Sequence, residues 1–455
     1  MQQVTTITAG KKVVAGLGKT GLSVARYLRY CGIEFSVVDS RLNPPGLQEF
    51  KIEFPDVVME LGAFNPATLI AADELIVSPG ISLQEPAIIA AQEQGVSVCG
   101  DIDIFSREVV SPIIAVTGSN GKSTVVSLVG EMARSCRVAV GIGGNLDGPE
   151  ALPALDLLRQ EAKTLYVLEL SSFQLETTRQ LNAKVAVVLN LSQDHMDRYA
   201  TLQDYQQAKQ RIFRGCRNFV VNRDDAASVP VQALEAVQWS YGLDVPASGE
   251  FGILQEESTE YFAFGSQKLL AVSDMKLIGR HNVSNALAAL ALGHAAGLPF
   301  APMLQALREF PGLPHRCQWI RMLDGINFYN DSKGTNPGAT VVAISSIGEA
   351  VAGAVVLIAG GLGKDADFTP LHAVVMQYVR TVILIGRDAH SIAQVLAGVT
   401  EIVFATDMQE AVQQAFAKAE SGDAVLLSPA CASMDMFTDF THRGRVFTAA
   451  VEALQ

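Results

Sequence analysis

The sequence predicts an α/β protein of three domains, and three observations carry the expectation. The chain has 455 residues, which at ~150 residues per domain gives about three domains. Hydrophobic residues make up 49% of it and charged residues 18%, so each domain can bury a core. Short β-branched runs that end in glycine recur, each followed by a helix-like stretch: Lys12–Ala15 into Gly16, 112–116 into Gly118, 354–359 into Gly360, and 381–385 into Gly386. Strands alternating with helices have both faces covered, and this implies mostly parallel sheets.

The domain limits follow from breaks in this pattern. Gly100-Asp101 follows the strand VSVC and opens a new unit. The helical segment 285–310 runs into PGLP at 311–314, where one glycine and two prolines stop a helix and resemble a hinge. The expected domains are 1–103, 104–312 and 313–455.

The net charge is -13 and no lysine/arginine block occurs, which argues against nucleic acid as the main partner. Anionic small molecules would need local amides and a few placed cations. The cysteines at 31, 99, 136, 216, 317 and 431 are too scattered for a metal knuckle or CxxC pair, so they read as reduced thiols. The opening MQQVTTITAG has no apolar signal-like stretch, and no run reaches the ~18 apolar residues of a membrane span. A cytoplasmic protein is expected, with no membrane span and acting as a monomer.

Gly16-Leu17-Gly18-Lys19-Thr20-Gly21 reads GxGxxG after a strand, and Asp39 ends the following strand. Amides at a helix N-terminus can hold a diphosphate there while the acid takes a hydroxyl. The loop specifies a diphosphate beside a nucleoside, so NAD and a UDP-sugar both satisfy it. A tight strand–helix turn without a ligand is the plainer alternative.

The second glycine segment is more specific. Residues 117–124 read TGSNGKST after the strand PIIAV. In such a P-loop the amides of Gly118, Ser119, Asn120 and Gly121 cradle phosphates at the start of the helix carrying Ser123 and Thr124. Lys122 reaches the β/γ-phosphates and the Ser123 hydroxyl ligates Mg²⁺. Val116 occupies the position of the usual first glycine. Two phosphate cradles fit ATP plus a nucleotide-linked substrate, and fit a simple dehydrogenase poorly.

Glu169 lies in the apolar strand LYVLEL, where a carboxylate must be paired or bind metal, unless it faces solvent at the strand end. His195 sits between Asp194 and Asp197 after the strand at 185–190, where α/β sheets place their sites. In the helical stretch 202–213, Leu202, Tyr205, Ala208, Ile212 and Phe213 cluster on one side at ~100° per residue, and Lys209 falls near the middle of that face. Its ammonium is then either removed, paired, or carried out to water on a stem that covers apolar surface.

Taken together, GxNGKxT, LELSSFQL, NLSQDHMDRY, GRHNVSNALAA, GLPHR, NDSKGTNPGAT, GGLGKDADF and SPACASMDMFTDFTHRG resemble the Mur ligases, from about residue 10 to 450, and within them the branch that adds D-glutamate. DHMDRY and NDSKGTNP are the most specific segments. The resemblance implies a Rossmann-like N-terminal domain for the UDP moiety, a central P-loop ATPase-like domain, and a Rossmann-like C-terminal domain for the incoming amino acid. It implies that Leu17, Gly18, Lys19, Thr20 and Gly21, with Asp39, Ser40, Arg41 and Asn145, hold the UDP-muramoyl substrate. Ser123 and Glu169 would serve one Mg²⁺, and His195 with a carbamylated Lys209 a second. Asn282, Arg316 and Asp331 would contact ATP. Lys333, Thr335, Lys364, Ser433, Met434 and Phe440 would surround D-glutamate. Leu362 stands where an aspartate belongs in the GGxGK segment, and Asp147 where a small or apolar residue is usual.

The implied reaction joins UDP-N-acetylmuramoyl-L-alanine and D-glutamate at the expense of ATP, through an acyl phosphate. Lys122, His195, Lys209 and Lys333 are its expected catalytic residues, and CO₂ is the source of the lysine carbamate. Both nucleophiles come from substrates, so positioning carries most of the catalysis. Three alternatives stand beside this reading. An NAD oxidoreductase needs a hydride site, a nucleotide sensor would lack the second-metal residues, and a folylpolyglutamate synthetase lacks the first domain.

Overall fold

A computed structural model describes residues 10–146, 152–196 and 198–455. Strands are short, apolar and closed by glycine turns, and their order is dictated by where each following helix can cover the sheet. The first sheet holds β1 (Lys12–Ala15), β2 (Phe35–Asp39), β3 (Met59–Leu61), β4 (Glu74–Val77) and β5 (Ser97–Cys99) in the order β3-β2-β1-β4-β5, all parallel. The chain reverses its direction of travel across the sheet at β1, so the loop after β1 lies at a topological switch point. Glu74 and Lys12, both buried on neighbouring strands, pair at 3.0 Å.

The second sheet is built from β6 (Ile113–Thr117), β7 (Val140–Gly144), β8 (Leu165–Glu169), β9 (Val185–Val188), β10 (Asn218–Asn222), β11 (Val237–Tyr241), β12 (Phe251–Glu256), β13 (Thr259–Phe264) and β14 (Gln267–Ala271). Its order is β14-β13-β12-β11-β10-β9-β6-β8-β7. The segment β7–β11 is parallel, and β12–β13 forms an antiparallel margin. One continuous apolar core joins the first two sheets through Leu28, Phe105, Leu155 and Leu168, with Phe105 edge-on to Tyr166 at 5.3 Å.

The third sheet has β15 (Gln318–Leu323), β16 (Ile326–Asn330), β17 (Val355–Gly360), β18 (Val379–Ile385), β19 (Glu401–Phe404) and β20 (Ala424–Leu427), in the order β15-β16-β20-β17-β18-β19. Only β15 runs antiparallel. Alternation along β17 sends Leu357 and Ala359 to one core and Val356 and Ile358 to the other, so helices cover both faces.

The described chain clusters into two compact units. One comprises Met1–Leu191, Arg198–Leu270 and Ala286–Leu307 and holds the first two sheets. The other comprises Ser192–Asp197, Ala271–Asn285 and Arg308–Gln455 and holds the third. No described helix is long and apolar enough to cross a membrane.

Three expectations need correction. The segment 285–310 is two helices, Arg280–Ala295 and Phe300–Glu309. Gly297 takes φ +88°, and the amides of Gly297 and Leu298 close back on the carbonyls of His294 and Gly293, a glycine cap that ends the first helix. The stretch 202–213 is an α-helix only over Leu202–Gln210 and tightens to a 3₁₀ turn over Arg211–Phe213. Leu202, at the helix start beside the Thr201–Asp204 capping box, is 39% exposed and does not join the buried face. The strand expected at 185–190 ends at Val188, which frees Leu189 and Asn190 for the loop below.

Candidate active site

The loop after β1 is shaped by two glycines. A Cβ on Gly16, at φ +97°, would lie 2.8 Å from Ser78, and one on Gly21 would lie 1.9 Å from the Gly16 carbonyl oxygen. The helix Lys19–Tyr30 starts from Gly18 without a side-chain cap, leaving its first amides for a ligand. A cavity of about 450 Å³ opens there, lined by Gly18, Lys19, Thr20, Asp39, Ser40 and Arg41, and by Asn145 from the second sheet. Leu17 and Gly21 do not line it. The Leu17 side chain is in the core, and its amide donates to Asp39 at 2.7 Å.

Asp39 departs from the expected role of taking a hydroxyl. Its two oxygens already accept from the Leu17 amide, the Arg41 amide, and Nε and Nη2 of Arg41. Burial pushes its pKa up, and the Arg41 and Leu17 hydrogen bonds outweigh this and hold it below the usual carboxylate range. It braces the loop and aims Arg41.

The P-loop lies after β6, between β8 and β9. Gly121, at φ +83°, begins the helix Lys122–Ser135, again without a side-chain cap. Asn190, which sequence reasoning did not single out, clamps the loop from both sides: its Oδ1 accepts from the Asn120 amide at 2.8 Å and its Nδ2 donates to the Asn120 carbonyl at 3.0 Å. The Lys122 ammonium donates to the Gly118 and Ser119 carbonyls at 2.9 Å each. Thr124 is buried in the first turn of the helix.

Glu169 is 3% exposed at the end of β8. Ser123 Oγ donates to it at 2.6 Å and Asn145 Nδ2 at 3.1 Å. One carboxylate thus touches the P-loop and a residue lining the β1 cavity. A buried anion beside a hydroxyl offers hard oxygen donors of the kind Mg²⁺ takes, with water and phosphate filling the other positions. Among the described residues no three His, Cys, Asp or Glu side chains form a ready-made metal nest.

Lys209 is 1% exposed. Its Nζ donates to the Gly118 carbonyl at 2.9 Å and to Thr117 Oγ1 at 3.3 Å, and stands 4.5 Å from the centre of the Tyr205 ring. Lys122 and Lys209 therefore share the Gly118 oxygen. His195 takes a left-handed backbone (φ +57°), and its amide donates to Asp194 Oδ1 at 2.9 Å. Asp197 and Asp147 lie outside the described residues. Beyond His195, Arg198 and Tyr199 both hold Glu176, and Arg198 also reaches the carbonyls of Pro79 and Ile81.

In the second unit, neighbouring parallel strands β16, β20 and β17 end in three loops that carry the remaining candidates except Asn282 and Arg316. Asp331 is buried and accepts from Ser428 Oγ at 2.7 Å and the Cys317 amide at 3.1 Å. Burial raises its pKa to about 6 against those hydrogen bonds. Arg316, half-buried, precedes Cys317. Lys333 Nζ lies 3.8 Å from the Phe440 ring centre, and its carbonyl accepts from the Thr335 amide. Ser433 is buried, whereas Met434 and Lys364 are exposed. Leu362 pairs with Ala432 through two backbone hydrogen bonds, so the departure from aspartate sits where a backbone bridge does the holding. Asn282 is buried and its Nδ2 donates to the Ile278 carbonyl. Arg443, missed in the sequence, is fully buried and ties the Ser332 hydroxyl and carbonyl to the Cys431 carbonyl. Its only sequence signal is a lone arginine within FTHRG.

Comparison with known proteins bears on this geometry. Residues 10–100 match the N-terminal domain described as Mur ligase MurD-like, 116–293 the Mur ligase middle domain, and 315–431 the glutamate ligase domain of Mur ligases. A UDP-N-acetylmuramoylalanine--D-glutamate ligase of Pseudomonas aeruginosa is 53% identical over 443 residues, covering 97% of this chain and 98% of that protein. The chain belongs to the Mur ligase family. A Marinobacter nauticus Mur ligase with the same printed name is 52% identical, over 98% of each chain. The solved Mur ligase from Thermotoga maritima, a UDP-N-acetylmuramate-alanine ligase, shares the fold at TM-score 0.61 and 19% identity, covering 98% of this chain and 99% of that one. The N-terminal match over 10–100 removes the folylpolyglutamate synthetase alternative, which has no such domain.

Asp101 also lines the β1 cavity and was read in the sequence only as a boundary. It is 2% exposed, Gln174 Nε2 donates to its Oδ2 at 3.1 Å, and its Oδ1 has no hydrogen-bond partner. Burial raises its pKa from 3.8 to about 6. A raised folded-state pKa in an acid means that ionisation costs stability, and the cost grows as pH rises from about 4 through about 6. Urea unfolding of Asp101→Asn against wild type should show the variant gaining on the order of 2–3 kcal/mol across that interval and a constant difference above it. Parallel stability profiles from pH 4 to 8 would contradict the assignment.

Proposed function

We infer that the chain is an ADP-forming amide ligase that adds D-glutamate to UDP-N-acetylmuramoyl-L-alanine, a step in peptidoglycan precursor synthesis. Full-length identity above 50% to ligases of that name carries the reading. The two phosphate cradles in one unit support it, because an ATP-driven reaction on a UDP-linked substrate needs both. The substrates are nucleotides and an amino acid, which fits action in the cytoplasm. The limits 103/104 and 312/313 divide the UDP-binding, ATP-binding and amino-acid-binding domains.

The chemistry runs as follows. The L-alanyl carboxylate attacks the γ-phosphorus of ATP, ADP leaves, and the D-glutamate amine then displaces phosphate from the acyl phosphate. Mg²⁺ supplies charge neutralisation on the phosphates when bound, held by Ser123 and Glu169 and, at a second position, by His195 and carbamylated Lys209. Lys122 leaves its loop carbonyls for the β/γ-phosphates, and the amides from Gly118 to Thr124 orient the chain of phosphates. Asn145 contacts the UDP-muramoyl substrate, and Arg41 holds its UDP part. Asn282, Arg316 and Asp331 hold ATP, and Lys333, Thr335, Lys364, Ser433, Met434 and Phe440 hold D-glutamate.

The carbamate rests on the buried Lys209 ammonium, which shares the Gly118 oxygen with that of half-buried Lys122. Burial and like charge both disfavour the protonated amine. The neutral amine takes CO₂ to give R–NH–COO⁻ and a proton, which turns a cation into an oxygen-donor anion.

ADP release should require UDP-N-acetylmuramoyl-L-alanine and D-glutamate together. Turnover with L-glutamate or with NAD and no ATP would overturn the reading. Lys209→Ala should lose at least about ten- to a hundredfold in rate, the range seen when even a group one shell out from a metal is removed, with partial recovery on adding a short carboxylic acid. A fully active Lys209→Ala enzyme would end the carbamate proposal.

A further inference from the structure

A second cavity of about 550 Å³ lies in the first unit, away from both nucleotide loops. It opens where β5 of the first sheet meets residues 176–179 and the turn at 211–214 of the second. Three arginines line it: Arg179, Arg211 and Arg214. The chain carries 47 acidic residues against 34 lysines and arginines, and several arginines elsewhere pair with acids: Arg26 with Glu49 and Glu53, Arg29 with Asp56, Arg380 with Asp423. These three have no ion-pair partner among the described residues.

Their guanidinium hydrogen bonds go to neutral groups, while the Arg179 amide donates to Asp103 Oδ1 at 2.8 Å and Glu176 lines the same cavity. Arg211 Nη1 donates to the carbonyls of Leu175 and Glu176 at the end of the helix Ser172–Glu176. Arg179 Nη2 donates to Ser97 Oγ at 2.6 Å and the Val98 carbonyl at 3.3 Å, and Arg214 Nη1 to the Arg179 carbonyl at 3.5 Å. The acid nearest them, Glu176, already binds Arg198 at 2.8 Å and Tyr199 at 2.5 Å. Carbonyls orient a guanidinium but leave its charge uncompensated. Burial first, and then the neighbouring Arg214, lower the pKa of Arg211, and they outweigh the opposing pull of Glu176 and Tyr199. The free edges of the three planar forks match the oxygens of a phosphoryl group.

We propose that this cavity is a site for a small phosphate-type oxyanion of diphosphate size, separate from the two nucleotide cradles. The anion would bridge Arg179, which reaches β5 of the first sheet, to Arg211 and Arg214 of the second, so binding would strengthen the seam between the two.

The full-length enzyme, saturated with UDP and ADP to fill both cradles, would be treated with phenylglyoxal and the modified arginines mapped by peptide mass spectrometry. Inorganic pyrophosphate at about four times its Kd should slow modification of Arg179 and Arg214 about fivefold, since protection scales as 1 + [L]/Kd. Exposed Arg137 should be unaffected, and sodium chloride at matched ionic strength should not protect. Equal slowing at Arg137, or protection by the chloride control, would overturn the site. Citrate protecting as well as pyrophosphate would overturn its phosphate character. Calorimetry gives an independent reading: the Arg179→Gln/Arg214→Gln variant should lose the pyrophosphate signal seen with saturated wild type while titrating UDP normally. An unchanged pyrophosphate isotherm in that variant would contradict the proposal.

Discussion

The Glu169 carboxylate is held at the end of a buried strand with one oxygen on the P-loop serine and the other on Asn145 of the β1 cavity. An anion in that position is tolerable only with hydrogen bonds to both oxygens and a cation nearby. The requirement links the two nucleotide cradles through a single side chain. A displacement of β8 by an ångström would disturb the Glu169 contacts with Ser123 and Asn145 together. The proposed reaction requires the same coupling, because in it the carboxylate of one substrate meets the γ-phosphorus of the other.

The rest of the unit serves that geometry. Both cradles lie after central strands of mostly parallel sheets, and both rely on glycine: a Cβ at Gly16 or Gly21 would collide with its neighbours, and Gly121 takes φ +83°. Polar side chains then fix the loops: Asp39 braces the first, and Asn190 braces the second. The first brace takes up the Leu17 amide and the second the Asn120 amide. The apolar core shared by the two sheets keeps the cradles in register.

The glycine loops and the parallel sheets were legible in the sequence because their signals are local: a strand, a glycine that must have φ > 0, and a helix start. Burial of Lys209 was legible because helical periodicity places it among Tyr205 and Ala208, although Leu202 at the helix end escaped that face. What stayed hidden depends on partners distant along the chain. Asp39 looks like a hydroxyl acceptor until Arg41 and the Leu17 amide fill it. Asn190 grips Asn120 across 70 residues, and Arg443 grips Ser332 across 111. Asp101 becomes an unpartnered buried oxygen only once Gln174 folds over it. The break at Gly297 was masked by an alanine- and leucine-rich pattern that continues on both sides. For the amino-acid residues, motif resemblance chose Met434 and Lys364 without regard to burial, and both are exposed.

The most direct test concerns Glu169 itself. Calorimetric titration of ADP into wild type should show affinity rising at least about tenfold on adding Mg²⁺, a gain of roughly 1.4 kcal/mol. Glu169→Gln preserves size and can still meet Ser123 and Asn145, but it removes the charge. It should bind metal-free ADP as wild type does and show no gain with Mg²⁺. A variant that keeps the full Mg²⁺-dependent gain would contradict the placement of the metal on this carboxylate, and with it the account of how the two cradles act together.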